Sequence, residues 1–158
     1  MLRSTDAETI GKRAIEVARV NKLAPMCAVV LDAAGRCLYL RQEDGNPLLR
    51  ESIARGKAQA ALGLNTDSGN VGKMYQERPH FVGAAFALAS NQNMGLVPVP
   101  GGVLVRDPNT NAVLGAVGVS GDLSDKDEAC AIEGVKAAGL SCALLKEGKQ
   151  QTVLKASL

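Results

Sequence analysis

The sequence predicts an α/β domain of the α+β kind, three layers deep, with helices on both faces of an antiparallel sheet. Three observations carry that expectation. The elements run helix, hairpin, helices, hairpin, helix, and hairpin-linked strands pair antiparallel. Two strands, Met26 to Leu31 and Val113 to Val119, are apolar at nearly every position, so both of their faces need cover. Small residues abound, with 17 glycines and no tryptophan, which permits close contact between helices and sheet. The strands do not alternate singly with helices, which argues against a doubly wound parallel sheet.

Each element has its own signal. Thr5 to Asn21 carries an apolar stripe at helical spacing through Ile10, Ala14, Val17 and Ala18, and Thr5 with Glu8 matches a capping box. Pro25 stops that helix. Met26 to Leu31 and Cys37 to Arg41 flank the turn Asp32-Ala33-Ala34-Gly35-Arg36 and read as a hairpin. Leu48 to Leu64 is an alanine-rich helix with Ile53, Ala54, Lys57, Ala58 and Ala61 on one face. Asn65 to Asn70 reads as a loop, and Val71 to Glu77 and Val82 to Ala89 as short helices separated by Pro79. Gly95 to Gly102 is an irregular approach to a strand at Val103 to Arg106. A turn at Asp107 to Asn111 leads into the strand from Ala112 to Val119. Leu123 or Ser124 opens a long helix that ends near Gly139. Ser141 to Leu158 alternates apolar and basic residues and fits a strand, a short helix or a tail equally well.

At 158 residues the length prior gives one domain over residues 1–158, with 140–158 as a peripheral C-terminal element. Such a chain can bury a core without disulfides or metal staples. The net charge of +2 is spread without a basic run, which excludes nucleic acid as an expected partner. No apolar run approaches a membrane span and no secretory h-region follows Met1, so the expectation is a cytoplasmic protein with no membrane partner. Cys27, Cys37, Cys130 and Cys142 form no C-x-x-C pair and sit in apolar patterns, as reduced, buried thiols do.

Gly115-Ala116-Val117-Gly118-Val119-Ser120-Gly121, followed by Asp122 to Ala131, combines a strand, a glycine-rich turn and an acidic helix start. Backbone N–H groups at such a turn can hold a carboxylate or phosphate, so Val119, Ser120 and Gly121 are candidate ligand-binding residues. The same residues also fit a structural account in which Gly118 and Gly121 permit a tight turn and Ser124 with Asp127 forms a capping box. Asp125, Asp127 and Glu128 either complement the helix dipole or include a general base or metal ligand, the dipole role being the favoured reading. No His or Cys stands at ligand spacing beside them, so no metal site is expected. Lys57 either snorkels to solvent or faces a small-residue pocket where it fixes an anion or moves a proton. Arg41 either pairs with Asp44 or clamps a carboxylate. His80, the only histidine, is a solvated residue at a helix start or a proton shuttle. Cys130 reads as a small core residue, since no Cys–His–Asn arrangement accompanies it.

Taken together, several of these pieces resemble the GlcG/HbpS family, which also occurs as the C-terminal domain of PduO-type proteins. The carriers are Val29 to Gly35 with Arg41 and Asp44-Gly45, the helix Ala54 to Ala60, Gly101-Gly102, and Gly115 to Gly121 with Asp127-Glu128-Ala129-Cys130-Ala131. The resemblance implies a profilin-like sandwich with a five-stranded antiparallel sheet. It also implies a dimer-based homo-oligomer, an octamer being one arrangement, and haem or another tetrapyrrole as a possible ligand. Family fold does not fix family function. This chain departs from the haem-binding pattern, because its first helix lacks the histidine expected as an iron ligand. Met74, Tyr75, His80 and the cysteines are the remaining candidate ligands.

The leading expectation is a small-molecule-binding protein for an anionic ligand, haem or another tetrapyrrole first, held by Arg41, Lys57, His80, Val119, Ser120 and Gly121. The rival is a cofactor-independent enzyme acting on a small carboxylate or carbonyl metabolite, with Lys57 or His80 moving a proton. A structural or assembly partner of a metabolic pathway is the third.

Overall fold

A computed structural model describes residues 1–142 and contains five helices and one five-stranded sheet. In chain order the elements are α1 (Ser4–Val20), β1 (Cys27–Asp32), β2 (Cys37–Gln42), α2 (Leu49–Leu64), α3 (Ser68–Glu77), α4 (Pro79–Ser90), β3 (Gly102–Arg106), β4 (Val113–Ser120), α5 (Ser124–Ala137) and β5 (Ser141–Cys142). The strands lie in the order β2-β1-β4-β3-β5, all neighbours antiparallel.

The position of each strand follows from its side chains. Strand β1 is buried at every position and β4 from Gly115 onward, and these two occupy the middle of the sheet. Strand β2 holds the edge and is largely exposed. Helices α1 and α5 pack together over one face, burying Ile10, Val17, Cys130 and Val135 against Ala28, Val30, Val117 and Val119. Helix α2 covers the other face, where Ala54, Ala58 and Ala61 meet Cys27, Val29, Leu31, Leu104 and Ala116. The alternation along β1 thus feeds two cores, as a strand with both faces covered must. Helices α3 and α4 add a small third cluster around Ala60, Val71 and Val82.

Alanine on α2 allows that helix to lie almost on the sheet. A Cβ at Gly118 would stand 1.8 Å from the carbonyl oxygen of Ala54, so only glycine fits there.

Several local expectations are corrected. Thr5 does not cap α1; Arg3 holds that position, without a side-chain cap, and binds Asp6 instead. The segment expected to be a loop up to Asn70 is helical from Ser68, because the Asp67 carbonyl accepts from both Asn70 and Val71 and so starts α3 earlier. Gly118 and Gly121 are not at left-handed φ; the crowding at Gly118, and at Gly121 against Pro25 and Met26, is what selects them. Ser124 and Asp127 form no capping box, since Leu123 is the cap residue of α5 and Asp127 turns elsewhere. Cys27 and Cys130 are buried as expected, but Cys37 is exposed on the edge strand and Cys142 is half-buried. The undecided C-terminal stretch begins with the short strand β5; the remainder of that expectation, from residue 143, lies outside the described residues.

Candidate functional site

Lys57 is the least expected feature of the interior. Its side chain is 1% exposed, and its ammonium donates to Asp127 Oδ2 at 2.7 Å and to the Val119 carbonyl at 2.9 Å. Helix α2 thereby reaches past the end of β4 to the first turn of α5, tying the two helical layers together. Gly101, at φ 120°, lies so close that a Cβ there would be 2.8 Å from the ammonium. Burial pulls the Lys57 pKa down, opposed by the Asp127 charge, and burial pushes the Asp127 pKa up, opposed by Lys57. The second oxygen of Asp127 accepts the Asp122 N–H at 3.0 Å. Lys57 therefore neither snorkels nor faces an open pocket.

The glycine-rich segment surrounds this pair. The N–H groups of Val119, Asp122 and Leu123 donate to Gly101 O, Asp127 Oδ1 and Asp122 Oδ1, each within 3.0 Å. Ser120 is buried, and its hydroxyl accepts from Arg50 at 3.2 Å. These donors already have acceptors within the chain, in the way a self-capped helix start satisfies its own backbone. Asp122 also accepts the Ala24 N–H at 2.9 Å, and its backbone bonds to Ala24 and Leu123 hold its carboxyl at about 2.

Arg41 has a different setting. It sits on the edge strand, paired with Ala28, which in turn pairs with Val119 on its other side. That row points toward α1, where Tyr39, two residues before Arg41, packs against Gly11. Arg41 is exposed and joins Arg19, Pro25, Gln42, Glu43 and Asp44 around a polar surface depression of about 420 Å³. Arg19 is committed there: it pairs with Glu43 at 3.1 Å and donates to the carbonyls of Leu23 and Ala24. Glu43 is further fixed by the Met26 N–H at 2.7 Å. Arg41 forms no ion pair among the described residues, with Asp44 or any other carboxylate. It is a cation at the mouth of a concave surface that hydrogen-bonds the Tyr39 hydroxyl and holds no carboxylate among the described residues.

His80 is exposed on the first turn of α4, outside both groups. The structure thus brings Lys57, Val119 and Ser120 together, buries Gly121 against Pro25 and Met26 outside the lining of the Arg41 depression, and leaves His80 apart. Sequence reasoning missed Asp127 as the partner of Lys57 and Arg50 as the partner of Ser120. The two bonds span 70 residues each, and no local pattern announces them.

The depression offers Arg41 to a carboxylate, beside the acids Glu43 and Asp44, and nothing to an iron, since none of the lining side chains is His, Met, Cys or Tyr. Met74 belongs to the small core beside α3 and α4. Among the described residues no group of three or more His, Cys, Asp or Glu could hold a metal ion.

A three-layer sandwich on an antiparallel β2-β1-β4-β3-β5 sheet is the fold of this chain. The chain is a member of the HbpS-like family, described as haem degrading protein HbpS-like, which matches residues 2–136. Solved structures agree on the fold. PduOC in its haem complex superposes with TM-score 0.74 at 21% identity, covering 89% of this chain and 96% of that one. HbpS gives 0.67 at 22% identity, covering 87% of each chain. The Klebsiella pneumoniae protein ORFY gives 0.73 at 19% identity, covering 91% of this chain and 92% of its own. No curated protein matches the sequence. Among the described residues no helix is long and apolar enough to cross a membrane.

Proposed function

We propose that this protein binds a small carboxylate-bearing ligand at the depression beside the edge hairpin, with haem or another tetrapyrrole as the first candidate, and works as a homo-oligomer. Arg41 carries this reading, as an exposed guanidinium at a concave surface with no carboxylate of its own. Family membership and the haem complex of a structural neighbour support the ligand class. Arg41 takes the carboxylate bidentately at the depression lined by Arg19, Pro25, Gln42, Glu43 and Asp44. Iron ligation is not part of this account, because the depression supplies no axial ligand.

The proton-transfer alternative assigns the chemistry to Lys57 or His80. Lys57 is sealed and saturated by Asp127 and Val119, and no base or acid partner stands beside His80 in the hydrogen bonds described. The binding reading is therefore the better supported. The experiment is a haemin titration followed at the Soret band, repeated with metal-free protoporphyrin. Comparable uptake of both, weakened in Arg41→Gln, is the expected outcome. A protein that stays colourless with excess haemin and quenches no porphyrin fluorescence would remove the proposal.

A further inference from the structure

Asp67 is a buried carboxylate with half of its hydrogen-bonding capacity unused. It stands between α2 and α3 at 1% exposure. Its Oδ1 accepts the Leu104 N–H at 2.8 Å, and its Oδ2 has no hydrogen-bond partner. Ser68 beside it accepts the Gly102 N–H at 2.8 Å and donates to the Val99 carbonyl at 2.6 Å. Among the described residues β5 pairs with β3 at Val105 and Arg106 alone. At Gly102 and Leu104 the side chains of Ser68 and Asp67 take the place of a neighbouring strand.

The surrounding groups favour the acid form of Asp67. Arg106 on β3 is the cation whose charge acts on it. Its Nη1 and Nη2 are spent on Asn111 O at 3.0 Å and Asn65 Oδ1 at 3.4 Å, and its buried Nε has no partner. Glu128 on α5 lies over the same turn, with Oε1 3.3 Å from where a Cβ on Gly69 would stand. Burial raises the Glu128 carboxyl and the Asp67 charge raises it further; Lys73 on α3 and Lys57 on α2 oppose this, and Asp125 on α5 adds to it. Burial raises the Asp67 carboxyl above its ordinary 3.8, opposed by the Leu104 N–H and the Arg106 charge.

Helices α3 and α4 hang on this contact. Helix α4 packs mainly on α3, and α3 packs on α2 and β3 around a small core of Ala60, Val71 and Val82. The chain enters this unit through Asn65 at φ 51° and leaves it through Gly101 at φ 120°. We propose that Asp67 is a proton-linked latch: as the acid it holds the first turn of α3 against β3, and once ionised it lets α3 and α4 lift from that edge so that water reaches the carboxylate. A carboxyl raised by folding contributes docking that is complete below its unfolded value of 3.8 and is lost as pH rises through its folded value. Asp122, held at about 2, titrates on the acid side of that window, so the two effects separate.

The test is amide exchange by NMR on the whole chain at about pH 4 and about pH 7, corrected for intrinsic rates. The Leu104 and Val71 amides, which donate to the Asp67 side chain and carbonyl, should lose protection by at least about fivefold at the higher pH. The Val117 amide, at the centre of the sheet, should not. Asp67→Asn keeps an acceptor for Leu104 without a titrating charge and should abolish the loss, whereas Glu128→Gln should leave it in place. Carbon-13 titration of the Asp67 carboxyl in wild type should give a midpoint above 3.8 that coincides with the loosening. Equal protection of Leu104 at both pH values overturns the latch. So does a loss shared in full by Val117, a loss that persists in Asp67→Asn or vanishes in Glu128→Gln, or a midpoint at or below 3.8.

Discussion

The ammonium of Lys57 and the carboxylate of Asp127 meet at 2.7 Å with neither side chain more than 1% exposed, and they join α2 to α5 around the end of β4. The pair replaces water on both charges with protein donors and acceptors: Val119 O for the lysine and the Asp122 N–H for the aspartate. Removing one partner strands the other in a medium that solvates it poorly. Lys57→Met should therefore cost ~3–5 kcal/mol of unfolding free energy, and Asp127→Leu in the Lys57→Met background should recover much of it. Urea denaturation of the two singles and the double variant measures this. Single variants within about 1 kcal/mol of wild type would mean the pair is not the tie between layers.

Gly118 faces the Ala54 carbonyl with no room for a methyl group. Gly118→Ala should lower the melting temperature sharply or prevent folding, because the added carbon must push α2 off the sheet. Gly63, on the same helix with open space around it, is the contrast. There alanine should be neutral or stabilising, by up to about 1 kcal/mol, through helix propensity. Calorimetry on both variants separates close approach from a general intolerance of alanine in this layer.

Much of the architecture was readable in the sequence because it rests on local pattern. Continuous apolar runs placed β1 and β4 at the centre, and Pro25 and Pro79 set breaks that the helices respect. Where the reading went astray, a distant contact had taken over a local role. Thr5 looked like a cap, but Arg3 and Asp6 organise that end. Asp127 looked like a dipole-complementing carboxylate, but its partner is Lys57, 70 residues away. Gly118 looked like a turn residue, and its true constraint comes from α2. For Arg41 the sequence offers pairing with Asp44 or clamping of a carboxylate, and spacing alone does not decide between them.

Acid should weaken the fold through Asp122. Backbone N–H bonds from Ala24 and Leu123 depress its carboxyl from 3.8 to about 2. A depressed carboxyl contributes stability that is complete above its unfolded value and disappears as pH falls through the folded one. Wild type should thus lose stability between about pH 4 and about pH 2. The gap between wild type and Asp122→Asn should narrow over the same interval. Melting temperatures taken across it would show this, and a gap independent of pH would count against the assignment.

Burial pushes the Cys27 and Cys130 thiols up to about 12, so neither is a thiolate at neutral pH. A thiol reagent added to native protein should label exposed Cys37 first and leave Cys27 and Cys130 unmodified until unfolding. Mass spectrometry of the labelled peptides reads the order. Early labelling of Cys130 would mean that α5 opens readily, against the packing described.

The most direct measurement is the affinity of wild type and Arg41→Gln for protoporphyrin, followed by fluorescence at fixed ionic strength. Arg41 is exposed, so its replacement leaves the fold in place. Loss of a charge-assisted, bidentate contact should raise Kd by about tenfold or more, while Lys57→Arg, at a cation already sealed inside the protein, should leave the affinity of the folded fraction unchanged. Equal affinity of wild type and Arg41→Gln would contradict the account, because the depression beside the edge hairpin would then not be where the ligand's carboxylate is held.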